Sequence, residues 1–164
     1  MITSIPALRR SAGFTIIELL ASVAILGLLA SVAMPVIQTT MTREKENQLR
    51  IALRDIRTAI DAYKLASASG NITVPTGQSG YPPSLTELAA GVPNANNPGG
   101  PQLYFLRGVP RDPFFPDQTI AAISTWGLRS FASPPDNPLP GDDVFDVHSM
   151  STQTGLNGVP YNQW

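Results

Sequence analysis

Apolar and polar positions divide the first 70 residues of the chain into two stretches with different patterns. In the first stretch, no charged residue occurs from position 19 to 42, and positions 19–37 are almost entirely apolar. Nineteen residues of α-helix are roughly 28 Å long, close to the hydrocarbon thickness of a bilayer. The pattern therefore predicts a membrane-spanning helix.

Charged residues become frequent from position 43, and apolar residues then recur at spacings of four, three, four and three. This spacing predicts an amphipathic helix with one buried face. The residues of that face are Leu49, Leu53, Ile56, Ile60 and Tyr63. On the polar faces, Glu46–Arg50 and Arg57–Asp61 are predicted to form ion pairs one helical turn apart.

The two stretches are predicted to form one continuous helix from about residue 14 to 66. Gly70 suits a C-terminal cap, because glycine adopts the left-handed conformation without strain. Pro35 is predicted to kink or locally open the helix, since proline removes a backbone donor and clashes with the preceding turn.

Proline changes the picture after position 74, where 14 of the 16 prolines lie. The second half therefore cannot be mostly helical. A short helix is predicted after Ser84, with Glu87 completing a capping box. Three β-favouring segments follow, at residues 103–109, 126–132 and 143–150. They predict a small antiparallel meander packed on the buried face of the helix.

Composition argues against several classes of function. The absence of cysteine excludes disulfides, thiolate metal sites and cysteine nucleophiles. His148 is the only histidine, so a zinc site or a serine–histidine triad would depend on that residue alone. A net charge of −1 produces no global field that would attract nucleic acid. We therefore predict neither an enzyme nor a nucleic-acid partner.

The apolar stretch follows two basic residues, Arg9 and Arg10, and has one acid, Glu18, next to its start. A carboxylate at the centre of a membrane helix costs roughly 2.5–3.5 kcal/mol, so this acid needs an explanation. Gly13-Phe14-Thr15-Ile16-Ile17-Glu18-Leu19-Leu20, after a short basic leader, resembles the class III signal of type IV pilins and type II secretion pseudopilins.

The resemblance implies a role for four positions. A membrane peptidase would cut between Gly13 and Phe14 and methylate the new N-terminus. Glu18 then becomes the fifth mature residue, and Pro35 falls at the family's usual helix-breaking proline. The positive amine of Phe14 could pair with Glu18 of the same helix or of a neighbouring subunit, which would set the register of assembly.

Two other readings of this segment stay open. Glu18 could extend to the membrane surface while its stem stays in the apolar layer. The whole segment could also be an ordinary secretory signal peptide, with a small-x-small cleavage site at Ser31-Val32-Ala33.

The second half resembles one branch of the family, the major pseudopilins of type II secretion. The matching motifs are Tyr81-Pro82 before a short helix, Arg111-Asp112-Pro113-Phe114, Trp126-Gly127-Leu128-Arg129-Ser130, Asp146-Val147-His148-Ser149 and Gly155-Leu156-Asn157-Gly158. The resemblance implies an α+β, type IV pilin-like fold. In such a fold a long N-terminal helix, transmembrane and then amphipathic, packs on a small C-terminal antiparallel sheet with long loops.

The chain is accordingly expected to comprise a prepilin leader (1–13), a transmembrane assembly helix (14–42), an amphipathic half-helix (43–70) and a loop-rich periplasmic β domain (71–164). The resemblance implies a structural subunit of a type II secretion pseudopilus, anchored once in the bacterial inner membrane with its N-terminus cytoplasmic. Implied partners are further copies, minor pseudopilins, the prepilin peptidase/N-methyltransferase and an inner-membrane assembly platform. The alternatives are a subunit of a type IV or DNA-uptake pilus, and a membrane-tethered periplasmic enzyme or binding module.

The same branch implies a calcium ion that pins the C-terminal loop through aspartates, a serine and backbone carbonyls. Calcium takes six to eight oxygen ligands. The matching residues are Asp146, Ser149 and Asn157, with Asp142 and Asp143 as further oxygen donors. Asn157 stands where an aspartate is usual, and residues 151–154 resemble an insertion. The alternative is that these residues only form turns, and that contacts of Val159, Tyr161 and Trp164 replace the ion.

Overall fold

The computed structural model describes residues 13–164, except for the side chains of residues 32–36. The leader predicted at residues 1–13, apart from Gly13, lies outside the described residues, and so does the side chain of Pro35. The elements are α1 (Ile16–Ala68), α2 (Leu85–Ala90), β1 (Trp126–Arg129) and β2 (Asp146–Ser149). Short 3-10 helices occupy Ala122–Thr125 and Tyr161–Gln163. The described chain divides into two units between Met41 and Thr42.

The N-terminal unit contains the first part of α1. The helix runs through Pro35 without interruption, so it is not opened there, while the predicted kink stays a prediction. Its large apolar side chains from Phe14 to Leu29 are all at least 60% exposed. Within the described residues, no helix combines the length and the hydropathy required of a bilayer-spanning segment.

The C-terminal end of α1 forms the predicted cap. Gly70 has φ +76°, and its N–H donates to the carbonyl of Ser67 at 3.1 Å. The N–H of Asn71 donates to the carbonyl of Ala66 at 2.9 Å. These two bonds satisfy carbonyls that the last helical turn leaves free.

The predicted stripe of α1 forms the centre of the core in the C-terminal unit. All five of its side chains are buried, and Leu49 and Ile56 are fully inaccessible. Residues from α2, the sheet and the C-terminal segment (residues 142–164) add to the core: Leu85, Leu88, Trp126, Val144, Val147 and Tyr161. The amphipathic half of the helix therefore folds by burying one face, as its spacing predicts.

The sheet is smaller than predicted. β1 and β2 pair antiparallel, with Trp126 opposite Ser149 and Arg129 opposite Asp146. Residues 103–109, the first of the three predicted strands, do not form a strand. Leu103 forms an isolated bridge with Val92. The N–H groups of Phe105 and Leu106 instead donate to the carbonyl of Leu88 at the end of α2. A long helix with a small antiparallel sheet confirms the α+β, pilin-like class.

The short helix α2 begins where predicted but is not capped as predicted. Ser84 is its N-cap, and its side chain makes no capping hydrogen bond. The Glu87 carboxylate instead lies 3.4 Å from the hydroxyl of Tyr63 on α1. Packing of Leu85 and Leu88 into the core holds this helix in place.

Candidate functional site

The processing motif lies at the exposed start of α1. Gly13 and Phe14 precede the first helical residue, and Phe14 is 81% exposed. The hydroxyl of Thr15 accepts from the N–H of Glu18 at 3.3 Å, so it satisfies one of the free donors of the first turn. The carboxylate of Glu18 is exposed on this turn, among apolar side chains.

Hydroxyl groups within the apolar stretch are satisfied by the helix itself. Ser22 donates to the carbonyl of Glu18 at 2.7 Å, and Ser31 donates to the carbonyl of Gly27 at 2.9 Å. These bonds leave neither hydroxyl in need of water. Glu18 is therefore the polar side chain in this stretch that most requires an external partner.

The second candidate site is the C-terminal segment, where calcium ligands are predicted. Asp146 begins β2, and its Oδ1 accepts from Nε of Arg57 at 2.8 Å and from the N–H of Val147 at 2.8 Å. Nη1 of Arg129 lies 4.0 Å from its Oδ2. Both oxygens of this carboxylate thus face positively charged groups of the protein.

The other predicted ligands are used in separate contacts. Ser149 is fully buried, and its hydroxyl donates to Oδ2 of Asp112 at 2.6 Å. Oδ1 of Asn157 accepts from the N–H of Val159 at 3.0 Å and closes its own turn. Asp143 accepts from the N–H of Phe131 at 2.8 Å and from a serine hydroxyl.

Asp142 lies with Asp143 on the wall of a cavity of about 450 Å³ that is also lined by Tyr81 and Phe131. Within the part of the chain that the structure describes, no three acidic or histidine side chains form a group that could hold a metal ion. Asp146 is the predicted ligand with the least suitable surroundings, because two guanidinium groups lie beside it. Calcium binding stays a prediction, and the donor set does not fit it in this arrangement.

Two acids that are not among the predicted calcium ligands hold the C-terminal segment in place. Glu46 of α1 is only 6% exposed, and its Oε1 accepts from the N–H of Leu156 at 2.6 Å and from the hydroxyl of Tyr161 at 3.1 Å. Asp112 is fully buried and accepts from the N–H of Phe114 at 2.8 Å as well as from Ser149. A β-carbon on Gly155 would lie 3.1 Å from Glu46 Oε1, so this close approach favours glycine.

The position of Glu46 in the sequence indicates this role. It lies three residues before Leu49 and thus continues the three-and-four spacing of the buried stripe. Its predicted ion pair with Arg50 is wrong, because Arg50 lies over the ring of Trp164, with 4.5 Å from Cζ to the ring centroid. Arg57 likewise pairs with Asp146 instead of Asp61.

Two buried tyrosines, Tyr161 and Tyr63, make the stability of the chain sensitive to alkaline pH. Burial, a hydrogen bond to Glu46 and the charge of that carboxylate together raise the pKa of Tyr161 to about 12. Burial and the nearby Glu87 likewise raise the pKa of Tyr63 to about 12. An unfolded tyrosine ionises near pH 10. The stability that these neutral phenols contribute is complete below pH 10, and it is lost as pH rises towards 12.

We therefore expect the melting temperature of the full chain in detergent to fall between pH 10 and pH 12. In Tyr161→Phe the fall should be smaller, because only Tyr63 remains to contribute. Tyr104→Phe removes a hydroxyl from an exposed ring and serves as the control. Equal slopes for wild type and Tyr161→Phe would contradict the assignment.

Comparison with known proteins finds matches to the N-terminal motif and to the chain beyond it. The family described as the prokaryotic N-terminal methylation motif matches residues 8–34. The type II secretion system core protein G of Klebsiella pneumoniae is 28% identical over 139 residues, 84% of this chain and 94% of the relative. No solved structure matches the chain.

Proteins of the same name from two further organisms are more similar over a shorter length. The Pseudomonas aeruginosa protein is 31% identical over 109 residues, and the Aeromonas hydrophila protein is 33% identical over 110 residues. Each match covers 65% of this chain, and 70% and 69% of the respective relatives. Since the matches extend over most of both partners, well beyond the methylation motif, the chain belongs to the type II secretion system core protein G family.

Proposed function

We propose that the chain is a structural subunit of a type II secretion pseudopilus. It polymerises through its N-terminal helix into a helical filament that drives export of folded proteins. The observation that carries the proposal is the exposed apolar surface from Phe14 to Leu29, which lies within the matched methylation motif. The secretion-system names of the relatives support it across the rest of the chain.

The exposed apolar surface is too large to remain in water. Full burial of one large aliphatic or aromatic side chain is worth about 1.5–3 kcal/mol. The surface comprises Phe14, Ile16, Ile17, Leu19, Leu20, Val23, Ile25, Leu26, Leu28 and Leu29. Burying these side chains in lipid, or between the helices of other copies, is worth on the order of 20 kcal/mol.

The helix occupies these two environments, lipid and the filament core, one after the other. Before assembly we place it across the inner membrane, with the N-terminus cytoplasmic because Arg9 and Arg10 precede the apolar stretch. The unit from Thr42 onward then lies in the periplasm. After assembly, Ala21, Ala24 and Gly27 let neighbouring helices approach closely.

Processing prepares the contact between subunits. A prepilin peptidase/N-methyltransferase cleaves between Gly13 and Phe14 and methylates Phe14. The resulting amine is positively charged and pairs with Glu18, which lies on the first turn of α1. Assembly also requires minor pseudopilins and an inner-membrane platform as partners.

The role is structural and not catalytic. Buried acids of the C-terminal unit accept hydrogen bonds within the fold, Glu46 from Tyr161 and Asp112 from Ser149. Such contacts rigidify a subunit that must transmit force along a filament.

The first test is the mass of the chain extracted from membranes of a secreting bacterium. We expect a mature protein that begins at Phe14 and has one added methyl group. A mature protein beginning at Met34 would instead be the product of an ordinary signal peptidase and would contradict the proposal.

The second test separates secretion from the functions of other filaments. A deletion strain should retain folded exoproteins in the periplasm while its twitching motility and DNA uptake stay normal. The same gene restored in trans is the positive control. Loss of twitching or DNA uptake with normal secretion would assign the subunit to a pilus.

A further inference from the structure

Arg57 of α1 contacts three oxygen atoms of the C-terminal part of the chain. Nε donates to Asp146 Oδ1 at 2.8 Å, and Nη2 donates to the main-chain oxygens of Val147 at 3.1 Å and Trp164 at 2.9 Å. These oxygens lie 89, 90 and 107 residues away from Arg57 in the sequence. One side chain thus joins the helix, the start of β2 and the last described residue.

The chemistry of these oxygens is the chemistry that a hard cation would select. Calcium sites combine carboxylate oxygens with backbone carbonyls. A guanidinium satisfies the same atoms through several N–H donors in a fixed planar arrangement, and it keeps its charge at every physiological pH. A divalent ion at this place would meet the charge of Arg57 and, beside Oδ2, that of Arg129.

Further contacts from α1 hold the same segment. Glu46 accepts from Leu156 and Tyr161, and the guanidinium of Arg50 lies 4.5 Å from the ring centroid of Trp164. Arg50 and Glu46 lie about two and three turns before Arg57 on the helix. The segment is therefore attached at several points along about three turns of α1.

From these contacts we propose that Arg57 is the built-in cation of the C-terminal segment. Its guanidinium closes the segment on α1 where a divalent metal would otherwise be needed. The attachment of this segment to α1 accordingly needs no calcium at Asp146. The role of Arg57 is the same whether the subunit joins a pseudopilus or a pilus.

The first arm of the test compares wild type with and without calcium. Amide hydrogen exchange of residues 153–164 is measured on the full chain in detergent, in excess CaCl₂ and in excess EGTA. We expect equal exchange in the two conditions, because only a calcium ion that holds this segment in the folded state would separate them. Clearly faster exchange of these residues in EGTA would overturn the proposal.

The second arm removes the guanidinium. Arg57→Gln should raise amide hydrogen exchange in residues 153–164 at least about tenfold, because the loss of a charge-assisted network destabilises the segment locally. Suitable reporter amides are those of Gly155, Tyr161 and Asn162, which donate within the segment. Arg54→Gln is the matched control, since Arg54 is exposed on the same helix. Its exchange should equal that of wild type.

Arg57→Lys provides a variant that retains the positive charge. It cannot donate to all three oxygens in the planar arrangement of a guanidinium, so exchange should lie between wild type and Arg57→Gln. If Arg57→Gln did not fold, the lysine variant and the EGTA comparison would still decide the matter. Unchanged exchange in both Arg57 variants would overturn the proposal.

Discussion

Glu18→Ala is expected to insert into the membrane and to be cleaved, but to form no filaments. The substitution removes a carboxylate, whose cost in hydrocarbon reaches roughly 2.5–3.5 kcal/mol at a helix centre, so insertion becomes easier. It also removes the partner of the amine that cleavage creates at Phe14. An unpaired positive charge would then have to enter the helical core of the filament.

The experiment needs three measurements on the same strain. Resistance to alkaline extraction reports insertion, intact mass reports cleavage and methylation, and electron microscopy of sheared material reports filaments. Glu18→Gln keeps the shape of the side chain without its charge and should also fail. Ser22→Ala is the positional control, because the hydroxyl of Ser22 donates to its own helix at 2.7 Å. Abundant filaments from Glu18→Ala would refute the role in register.

Features that depend on near neighbours could be predicted from the sequence. The stripe of α1 follows from a spacing of three and four, and its five residues are buried. The cap at Gly70 follows from the need of the chain for a left-handed residue where the helix ends. In both cases the sequence signal comes from residues less than two helical turns apart.

Features that depend on distant partners could not be predicted in the same way. Residues 103–109 have the composition of a strand, but the carbonyl of Leu88 takes the N–H groups of Phe105 and Leu106. Strand propensity describes how a segment suits a sheet and does not say which partner it meets. Arg57 likewise has an acid one turn away, Asp61, yet it binds Asp146 together with main-chain oxygens.

Glu46 could have been placed in the core by its spacing, but its partners could not have been identified. Position 46 continues the buried stripe, which predicts burial of its side chain. The N–H of Leu156 and the hydroxyl of Tyr161 lie 110 and 115 residues away. The sequence thus contains the position of the anchor, whereas its function becomes visible only when the C-terminal segment is folded against α1.

Glu46→Ala is expected to destabilise the C-terminal unit strongly, because the carboxylate that it removes is buried. It leaves the N–H of Leu156 and the buried hydroxyl of Tyr161 without an acceptor, at about 1–3 kcal/mol each. The free energy of unfolding should therefore fall by about 3 kcal/mol, and the melting temperature by roughly 10 °C. Thermal and denaturant unfolding of the full chain in detergent measure both quantities.

Glu44→Ala is the matched control, because it removes the same side chain two residues earlier on α1. Glu44 is exposed and accepts from Gln48 at 2.9 Å, a helix-surface contact worth a few tenths of a kcal/mol. Glu46→Gln keeps an acceptor oxygen and should lose less stability than Glu46→Ala. If Glu44→Ala and Glu46→Ala were equally stable, the burial of Glu46 would have no energetic importance, and the segment would have to be held by Arg57 and the aromatic contacts of Tyr161 alone.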